Sequence, residues 1–343
     1  MSTATATATA LNRLTHPGGR LTLGLELPLD NDWGQSRLAA DRKAGRPFGV
    51  PSLDAHAHLA RVADRSGFAA LWVRDVPLYD PVHFGDAGSV FETFTHLGHL
   101  AAVTERAVLG TAAVVLPLRR PLLVAKAAAT VDALSGGRFV LGLASGDRPV
   151  EYPLFGVEFT TRAETFRTGV EVLRTAWATP PTGQGLELPQ LGLAPDRRLD
   201  VLPKPIDGTI PIAVAGNAQQ SPEWIAEHVD ASLNYPRDLG ALRLKTEQWR
   251  RLTADRPKPY LTPMMLDLLP DPAAPATTIR LGLRTGREGL VEHLEKMSAL
   301  GVAHVAFNLR PNDRPVEDVL AELTDHVLPH FPSPAVAEGR AAG

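Results

Sequence analysis

Three consecutive segments in the middle of the chain decide the fold class. They are VLGTAAVVL at 108–116, PLLVAKAAATVDALSGG at 121–137 and RFVLGLAS at 138–145. The first and third are short apolar runs, which predict buried strands. The second has Pro121 where a first helical residue would stand and ends at Gly136-Gly137, which predicts a helix. A strand–helix–strand order of this kind is typical of parallel sheets.

The same alternation extends in both directions along the chain. Apolar runs predict further strands at 21–29, 68–73, 210–216, 231–235, 260–269 and 302–309. Helical periodicity predicts helices over 53–66, 91–104, 161–177, 222–229, 239–253, 286–300 and 316–328. Thr161 with Glu164, and Thr285 with Glu288, have the spacing of a capping box.

Eight strand–helix units predict an α/β fold closed into a (β/α)8 TIM barrel. A doubly wound open sheet is the alternative, but it usually carries a G-x-G-x-x-G motif after an early strand, and this sequence has none. We expect one barrel domain over 21–331, with an insert at about 179–209 that is rich in Pro and Gly. Residues 1–20 and 332–343 are predicted to be flexible tails.

Composition excludes several classes of protein. Lys+Arg 35 against Asp+Glu 38 gives a net charge of −3, which does not favour nucleic-acid binding. The absence of Cys excludes disulfides, iron–sulfur clusters and cysteine nucleophiles. No apolar run approaches the roughly 18 residues of a transmembrane helix, and MSTATATATA lacks the regions of a secretory signal. We therefore expect a cytoplasmic protein with no nucleic-acid or membrane partner.

In a barrel, the residues just beyond the carboxyl ends of the strands form the site. The fifth predicted strand is followed by Gly216, Asn217, Gln220 and Ser221. Ser221 and Pro222 suit the N-cap and first position of a helix, whose amides can bind a phosphate. An ordinary capped helix is the alternative at this point.

The fourth predicted strand is followed by Ser145, Gly146, Asp147, Arg148, Glu151 and Tyr152. The small residues leave room for a flat ligand, while Arg148 and the Tyr152 hydroxyl are suited to an anion. A solvated loop with Tyr152 packed against its neighbours is the alternative. Ser145 is not a hydrolase nucleophile, because the spacing is not that of G-x-S-x-G.

The third predicted strand ends at Val115 and Leu116, either an apolar support for a ring system or ordinary core. The second ends at Arg74-Asp75. Long loops at 30–53 and 76–90 follow the first two strands, and each is either functional or a surface excursion.

Histidines and carboxylates leave one question open. His96/His99 and His326/His330 have same-face spacing, but no carboxylate at ligand spacing accompanies them, so we predict no metal site. Near predicted strand ends lie Glu26, Asp75, Asp147 and Asp267. A glycosidase-type pair among them depends on their separation, which a sequence does not supply.

Residues 107–177, above all LSGGRF followed by LGLASG, resemble the bacterial-luciferase-like monooxygenases, a family of flavin-dependent barrel enzymes. AGNAQQSPEWIAEHVD at 215–230 is similar to that family's phosphate-binding helix start. The resemblance implies FMN, or a deazaflavin in some branches, lying across the barrel mouth. It also implies a homodimer.

Carried over residue by residue, the resemblance implies three groups of contacts. Val115 and Leu116 would lie against the flavin ring. Near the ribityl chain and phosphate would lie Ser145, Gly146 and Tyr152, and we expect Asp147 to be a further cofactor-binding residue. The phosphate would be held by Gly216, Asn217 and the Gln220 and Ser221 amides, with the choice between Gln219 and Gln220 left open by a one-residue difference in length between Asn217 and Ser221.

The sequence also departs from the family pattern. Some relatives have a reactive cysteine near the flavin, and some have a catalytic histidine at the end of the second strand, where this chain has Arg74-Asp75. We expect Arg74, Asp75 and Arg148 to contact the substrate or the flavin edge, with Asp75 handling protons.

The activity implied by the resemblance is a monooxygenase that uses reduced FMN and oxygen on a small organic substrate. Reduced flavin would come from a flavin reductase or from NAD(P)H. A deazaflavin-dependent dehydrogenase on the same barrel, and a non-catalytic flavin-binding protein, are the alternatives. Segments 30–53, 76–90 and 270–284 would act as lids that exclude water.

Overall fold

Strands and helices alternate through the computed structural model, which describes residues 10–16, 19–83, 90–193, 198–236 and 238–334. The strands are β1 (Thr22–Leu27), β2 (Ala70–Val73), β3 (Val108–Thr111), β4 (Val114–Val115), β5 (Phe139–Ala144), β6 (Ile212–Ala215), β7 (Ala231–Leu233), β8 (Tyr260–Leu268), β9 (Thr277–Ile279), β10 (Gly282–Thr285) and β11 (Val302–Asn308). The α-helices are α1 (Ala10–Leu14), α2 (Gln35–Ala44), α3 (His56–Ser66), α4 (Thr93–Val103), α5 (Pro121–Ser135), α6 (Glu151–Leu154), α7 (Arg162–Trp177), α8 (Pro222–His228), α9 (Leu239–Leu252), α10 (Arg287–Ala299) and α11 (Val316–Glu322).

Eight strands of the described residues close into a parallel barrel. Their order is β1-β2-β3-β5-β6-β7-β8-β11, and β11 pairs with both β8 and β1. The short β4 continues the path of β3 and pairs with β5. The predicted (β/α)8 barrel is therefore confirmed.

The two-residue period of the strands separates an inner from an outer core. In β1, Leu23, Leu25 and Leu27 belong to the large apolar cluster that the strands share with the helices. Thr22 and Glu26 alternate with them and hydrogen-bond inside the barrel to residues of the neighbouring strand β11. The inner face of β1 is thus polar at both of its ends.

The amino-terminal segment is not a tail from Ala10 onward, which corrects the predicted boundary at residue 21. Ala10 and Leu14 of α1 are buried in the inner cluster, and the Leu14 carbonyl accepts a hydrogen bond from Thr22 Oγ1 at 2.6 Å. Residues 1–9, 17–18 and 335–343 lie outside the described residues. At the other end, Ser333 is buried, so the folded part extends slightly beyond the predicted Phe331.

Helix ends follow the predictions at glycines but not at the capping boxes. Gly67 and Gly136 end α3 and α5 in the left-handed conformation, as expected. Thr161 instead donates to the Glu158 carbonyl, and Thr285 belongs to β10, where its hydroxyl donates to the Ala274 carbonyl. Neither threonine caps a helix with its side chain, so both predicted capping boxes are wrong.

The predicted insert lies against the outside of the barrel. Lys204 Nζ donates to the Ala176 and Ala178 carbonyls at the end of α7, and the Ile206 amide donates to Asp132 near the end of α5. Because helix carboxyl ends lead into strand amino ends, this insert lies away from the mouth.

The predicted lid at 270–284 contains the antiparallel pair β9–β10, and β10 extends the sheet beside β8. This segment is therefore partly a sheet extension. None of the helices in the described part of the chain is long and apolar enough to cross a membrane.

Candidate functional site

A cavity of about 350 Å³ opens at the carboxyl ends of the strands, between the segments that follow β2, β3, β5 and β6. Most of the predicted site residues line it: Arg74, Asp75, Val115, Ser145, Gly146, Asp147, Arg148, Gly216 and Asn217. Its remaining wall is largely small, with Ala112, Ala113, Ala144 and Ala215. Residues that are far apart in the sequence thus line one cavity, much of whose wall consists of small side chains.

Asp75 is held by donors on both of its carboxylate oxygens. Arg119 Nη2 donates to Oδ1 at 2.7 Å and its Nε to Oδ2 at 3.1 Å. Thr93 Oγ1 donates to Oδ1 at 2.9 Å, and the Val115 amide donates to Oδ2 at 3.0 Å. These four hydrogen bonds occupy both oxygens of the carboxylate within the protein. This geometry favours a positioning role for Asp75, which fixes Val115 and Arg119, over the predicted proton-handling role.

Glu151 is a buried carboxylate in the cavity wall, and the sequence pattern predicts no role for it. It begins α6 and is 3% exposed, and its Oε1 has no hydrogen-bond partner among the described residues. Burial raises the pKa of Glu151, and the charge of Arg148 opposes that rise. An incompletely satisfied buried carboxylate is a strong candidate for a ligand contact. Its burial is set by the fold, so its position in a polar loop did not reveal it.

A second polar cluster joins strand ends on the other side of the mouth. Asn308 Nδ2 donates to Glu26 Oε2 at 2.9 Å, and Tyr235 Oη donates to Glu26 Oε1 at 3.4 Å. Burial raises the pKa of Glu26, while the charge of Arg74 and the two hydrogen bonds counteract it. Glu26 therefore combines a raised pKa with a site at the mouth.

Leu116 and Tyr152 are predicted site residues that do not line the cavity. The Leu116 side chain packs toward α7, so closely that a Cβ added at Gly169 would lie 2.7 Å from it. Tyr152 is fully buried, stacks edge-on against Phe159 and donates its hydroxyl to the Ser145 carbonyl. Burial raises its pKa to about 12. The structure thus corrects the expected ring contact of Leu116 and leaves the Tyr152 hydroxyl already bonded.

Gln220 and Ser221 are likewise engaged within the protein. The Gln220 amide donates to the Asn217 carbonyl at 2.7 Å, so it is not free for a phosphate as predicted. Its side chain accepts from Arg167 Nη2 at 2.8 Å and donates to the Ala163 carbonyl at 2.8 Å. Ser221 does cap α8, accepting from the Trp224 amide.

The loop between β6 and α8 turns through left-handed backbone conformations. Gly216 has a φ of 64°, and Ala218 and Gln219 have φ values of 43° and 61°. The last two are unusual for residues with a side chain. Gln220, bonded on both sides, holds this turn against the cavity. Apart from its two chain neighbours, none of the described residues has an atom within 4 Å of a Cβ built at Gly216, so the turn is open there.

The buried histidines pair between helices. His56 and His96 approach to 2.7 Å between their Nε2 atoms. Burial lowers the pKa of His56 to about 4 and that of His96 to about 3, with neighbouring histidine charges adding to both shifts. Within the described ranges, no three or more His, Asp or Glu side chains form a group suited to a metal ion.

Comparison with known proteins identifies the family. The model of the luciferase-like monooxygenases matches residues 34–265. The chain belongs to this family. The predicted resemblance is confirmed, and the protein is an enzyme of the luciferase-like monooxygenase/oxidoreductase type with a flavin-type chemistry.

One similar curated protein is the pyrimidine monooxygenase RutA of Acinetobacter baylyi, 26% identical over 230 residues. The match covers 64% of this chain and 57% of that relative, so the chain spans little more than half of it. Among solved structures, the monooxygenase RslO1 of Streptomyces bottropensis superposes with a TM-score of 0.70 at 18% identity, covering 91% of this chain and all of that one.

An F420-dependent enzyme has a similar fold. The F420-dependent secondary alcohol dehydrogenase, in complex with an F420-acetone adduct, superposes with a TM-score of 0.67 at 14% identity, covering 92% of this chain and 100% of that one. At these identities the likeness to solved structures shows the fold alone.

Proposed function

We propose that this enzyme is a monooxygenase that binds reduced FMN in the 350 Å³ cavity and uses oxygen to oxidise a small organic substrate. The observation that carries the proposal is the cavity itself. In a chain of this family, four strand ends supply a small-residue wall, two arginines and a buried carboxylate at the end of a barrel where catalytic sites form.

The cavity residues fit a flavin. Ala112, Ala113 and Ala144 leave room for a planar ring, and Gly216 leaves the adjoining turn open. Arg74 and Arg148 bring positive charge, which suits a phosphate or the oxygens of a ring edge. The unmatched Glu151 Oε1 would accept a hydrogen bond from a ligand hydroxyl or N–H.

Reduced flavin supplies the electrons for oxygen chemistry when it is bound. The protein contributes position and proton control. Asp75 fixes the Val115 amide and Arg119, and so holds the Val115 side chain in the cavity wall. We assign the proton-handling role to Glu26, a carboxylate buried at the mouth in the field of Arg74, which lines the cavity. Burial raises the pKa of Glu26, which suits a group that gains and loses a proton.

Supply of the reduced cofactor and the assembly state complete the proposal. We propose that a separate flavin reductase or NAD(P)H provides the electrons, and that the enzyme works as a homodimer in the cytoplasm. Size-exclusion chromatography with light scattering tests the assembly state.

The decisive experiment identifies the cofactor. The purified protein is titrated with FMN and, separately, with a deazaflavin, and the bound species is identified by absorbance and mass spectrometry before and after reduction. We expect FMN to bind and oxygen uptake to couple to substrate oxidation. A deazaflavin spectrum without oxygen uptake would favour the dehydrogenase alternative, and uptake uncoupled from every substrate the binding-only alternative.

A variant pair tests the cavity. We expect Arg148→Met to weaken FMN binding by about tenfold or more, the loss of one charge-assisted contact. Arg243→Met, at a 57% exposed side chain on α9, is the control and should bind FMN like the wild type. A protein with no affinity for either flavin would overturn the proposal.

A further inference from the structure

A second and larger cavity adjoins the first. Its volume is about 720 Å³, within the range of small-molecule sites, and it shares Asp75 and Val76 with the 350 Å³ cavity. Loops after β1 and β2, the start of α4 and the end of α6 enclose it. A ligand there would lie next to whatever fills the smaller cavity.

The wall of the larger cavity is mainly apolar. Its apolar side chains include Val50, Val76, Pro77, Phe91, Leu118 and Phe155. Phe91 and Phe155 line this cavity and are 37% and 43% exposed, so part of each ring is accessible to a ligand. Aromatic faces of this kind favour contact with a ring compound.

The polar groups of this wall are already bonded within the protein. Tyr79 lines the cavity, and its hydroxyl already donates a hydrogen bond to the Phe48 carbonyl at 2.6 Å. Arg119 is shared between Asp75 and Glu92, with contacts of 2.7 and 3.1 Å. Among the lining residues that the structure describes, two carboxylates therefore face one guanidinium, which leaves an excess of negative charge.

We propose that this larger cavity, the substrate chamber, takes an uncharged and largely apolar ring compound and rejects anions. An anion would lose its hydration without gaining a cation, because the Arg119 guanidinium is neutralised by its two carboxylates. A heterocycle that needs several hydrogen-bond partners, such as the pyrimidine in the name of the A. baylyi relative, would find few among the described lining residues. The word substrate rests on the proposed function, since the chamber is a substrate site only if the smaller cavity holds the cofactor.

A matched pair of fluorescent probes tests the charge selectivity of the chamber. 1-Anilinonaphthalene and its 8-sulfonate share one ring skeleton and differ by one negative charge. We expect the neutral probe to bind at least about tenfold more tightly than the sulfonate, with both titrated in the presence of saturating FMN. Equal affinities, or tighter binding of the sulfonate, would overturn the proposal.

Substitutions at Val50 locate the binding. Val50→Trp should weaken the neutral probe by about tenfold by filling the chamber. Val82→Trp is the matched control, because Val82 is 81% exposed and does not line the chamber, and its affinity should equal that of the wild type. Val50→Lys should reverse the preference in favour of the sulfonate, which a merely misfolded variant would not do.

The two proposals fail in distinguishable ways. If FMN does not bind but the neutral probe still responds to Val50→Trp and Val50→Lys, the chamber stands and the proposed function falls. If FMN binds but displaces the neutral probe, or if Val50→Trp and Val82→Trp behave alike, the probe is not in the chamber. The inference would then be wrong while the proposed function stands.

Discussion

The two ends of the barrel are built from the same strands, but their buried polar side chains differ in how completely they are hydrogen-bonded. At the end closed by α1, Trp72 Nε1 donates to His304 Nε2 at 3.0 Å. His304 Nδ1 then carries the hydrogen that is donated to Thr22 Oγ1 at 2.8 Å, and Thr22 donates in turn to the Leu14 carbonyl. Burial lowers the pKa of His304 to about 3, which keeps the ring neutral. Each side-chain polar group in this series of hydrogen bonds, from Trp72 through His304 to Thr22, therefore has a partner.

At the mouth, by comparison, the hydrogen bonding of buried polar groups is incomplete. Glu151 Oε1 has no hydrogen-bond partner among the described residues, and Glu26 is buried with a raised pKa. Two cavities also adjoin each other there. The difference indicates that the closed end carries stability, whereas the mouth gives up some stability to keep groups available for ligands.

The largest predicted effect is a loss of stability from a substitution at the closed end. Trp72→Ala should lower the free energy of unfolding by about 3–5 kcal/mol, because a fully buried aromatic ring is lost and His304 loses its donor. Urea denaturation measures it. We expect the FMN affinity of the folded protein to change less than about twofold. Trp72 does not line the 350 Å³ cavity, and substitutions at independent sites have nearly independent effects.

A glycine provides the control for this substitution. A Cβ added at Gly110 would lie 2.4 Å from the Trp72 ring, so Gly110→Ala alone should destabilise the protein. In the Trp72→Ala background the same change should cost much less. Equal costs in both backgrounds, or a fall in FMN affinity that matches the fall in stability, would contradict the separation of the two ends.

The next effect concerns Asp75, a mouth residue with hydrogen-bond donors on both carboxylate oxygens. Asp75→Asn should cost roughly 1–3 kcal/mol, since it weakens bonds to Arg119, Thr93 and the Val115 amide. FMN affinity should fall as well, because Val115 lines the cavity. Glu92→Gln, which removes the more exposed partner of Arg119, should cost less than about 1 kcal/mol. Similar costs for both variants would show that Asp75 is not the group that holds this wall.

Much of the fold could be predicted because its signals are local. Alternating apolar runs gave the eight strands, and Pro121 and Gly136 gave the two ends of α5. The barrel rule then directed attention to strand ends, where most predicted residues do line one cavity. The family resemblance supplied which of those strand ends to join.

The missed features depend on backbone geometry and packing that residue spacing does not show. Thr161 and Thr285 have capping-box spacing, yet Thr161 donates to the nearby Glu158 carbonyl and Thr285 to the Ala274 carbonyl. Leu116 follows Val115 in an apolar run, but it begins a short 3-10 helix, and its side chain packs against α7. The burial of Glu151 similarly depends on tertiary packing rather than on its neighbours in sequence.

A smaller effect at the mouth has opposite signs for stability and binding. Glu151→Gln should raise the free energy of unfolding at neutral pH by up to about 1 kcal/mol, because a buried carboxylate with an unmatched oxygen is removed. FMN affinity should fall by about tenfold, the loss of one ligand contact. Chemical denaturation and FMN titration check both. A loss of stability together with unchanged affinity would give Glu151 a structural role and weaken the contrast between the two ends.

The smallest predicted effect is a pH dependence that sharpens the contrast at Glu26. Its pKa in the folded protein lies above the ordinary value of 4.5, so the folded state holds the proton more tightly than the unfolded state does. The resulting stabilisation is complete below about pH 4.5 and is lost as pH rises through the folded pKa. Glu26→Gln lacks this loss, and its stability relative to the wild type should therefore increase with pH before it levels off.

Glu92→Gln supplies a control of opposite sign for that measurement. Burial alone would raise the pKa of Glu92, but the donors of Thr95 and the charge of Arg119 outweigh it and lower the pKa. The wild type should consequently lose stability relative to Glu92→Gln as pH falls through the range below 4.5. Urea denaturation across pH measures both variants. If the Glu26→Gln difference is flat with pH, or has the slope of Glu92→Gln, then Glu26 is ionised as easily as a surface carboxylate and the proton-handling role at the mouth is lost.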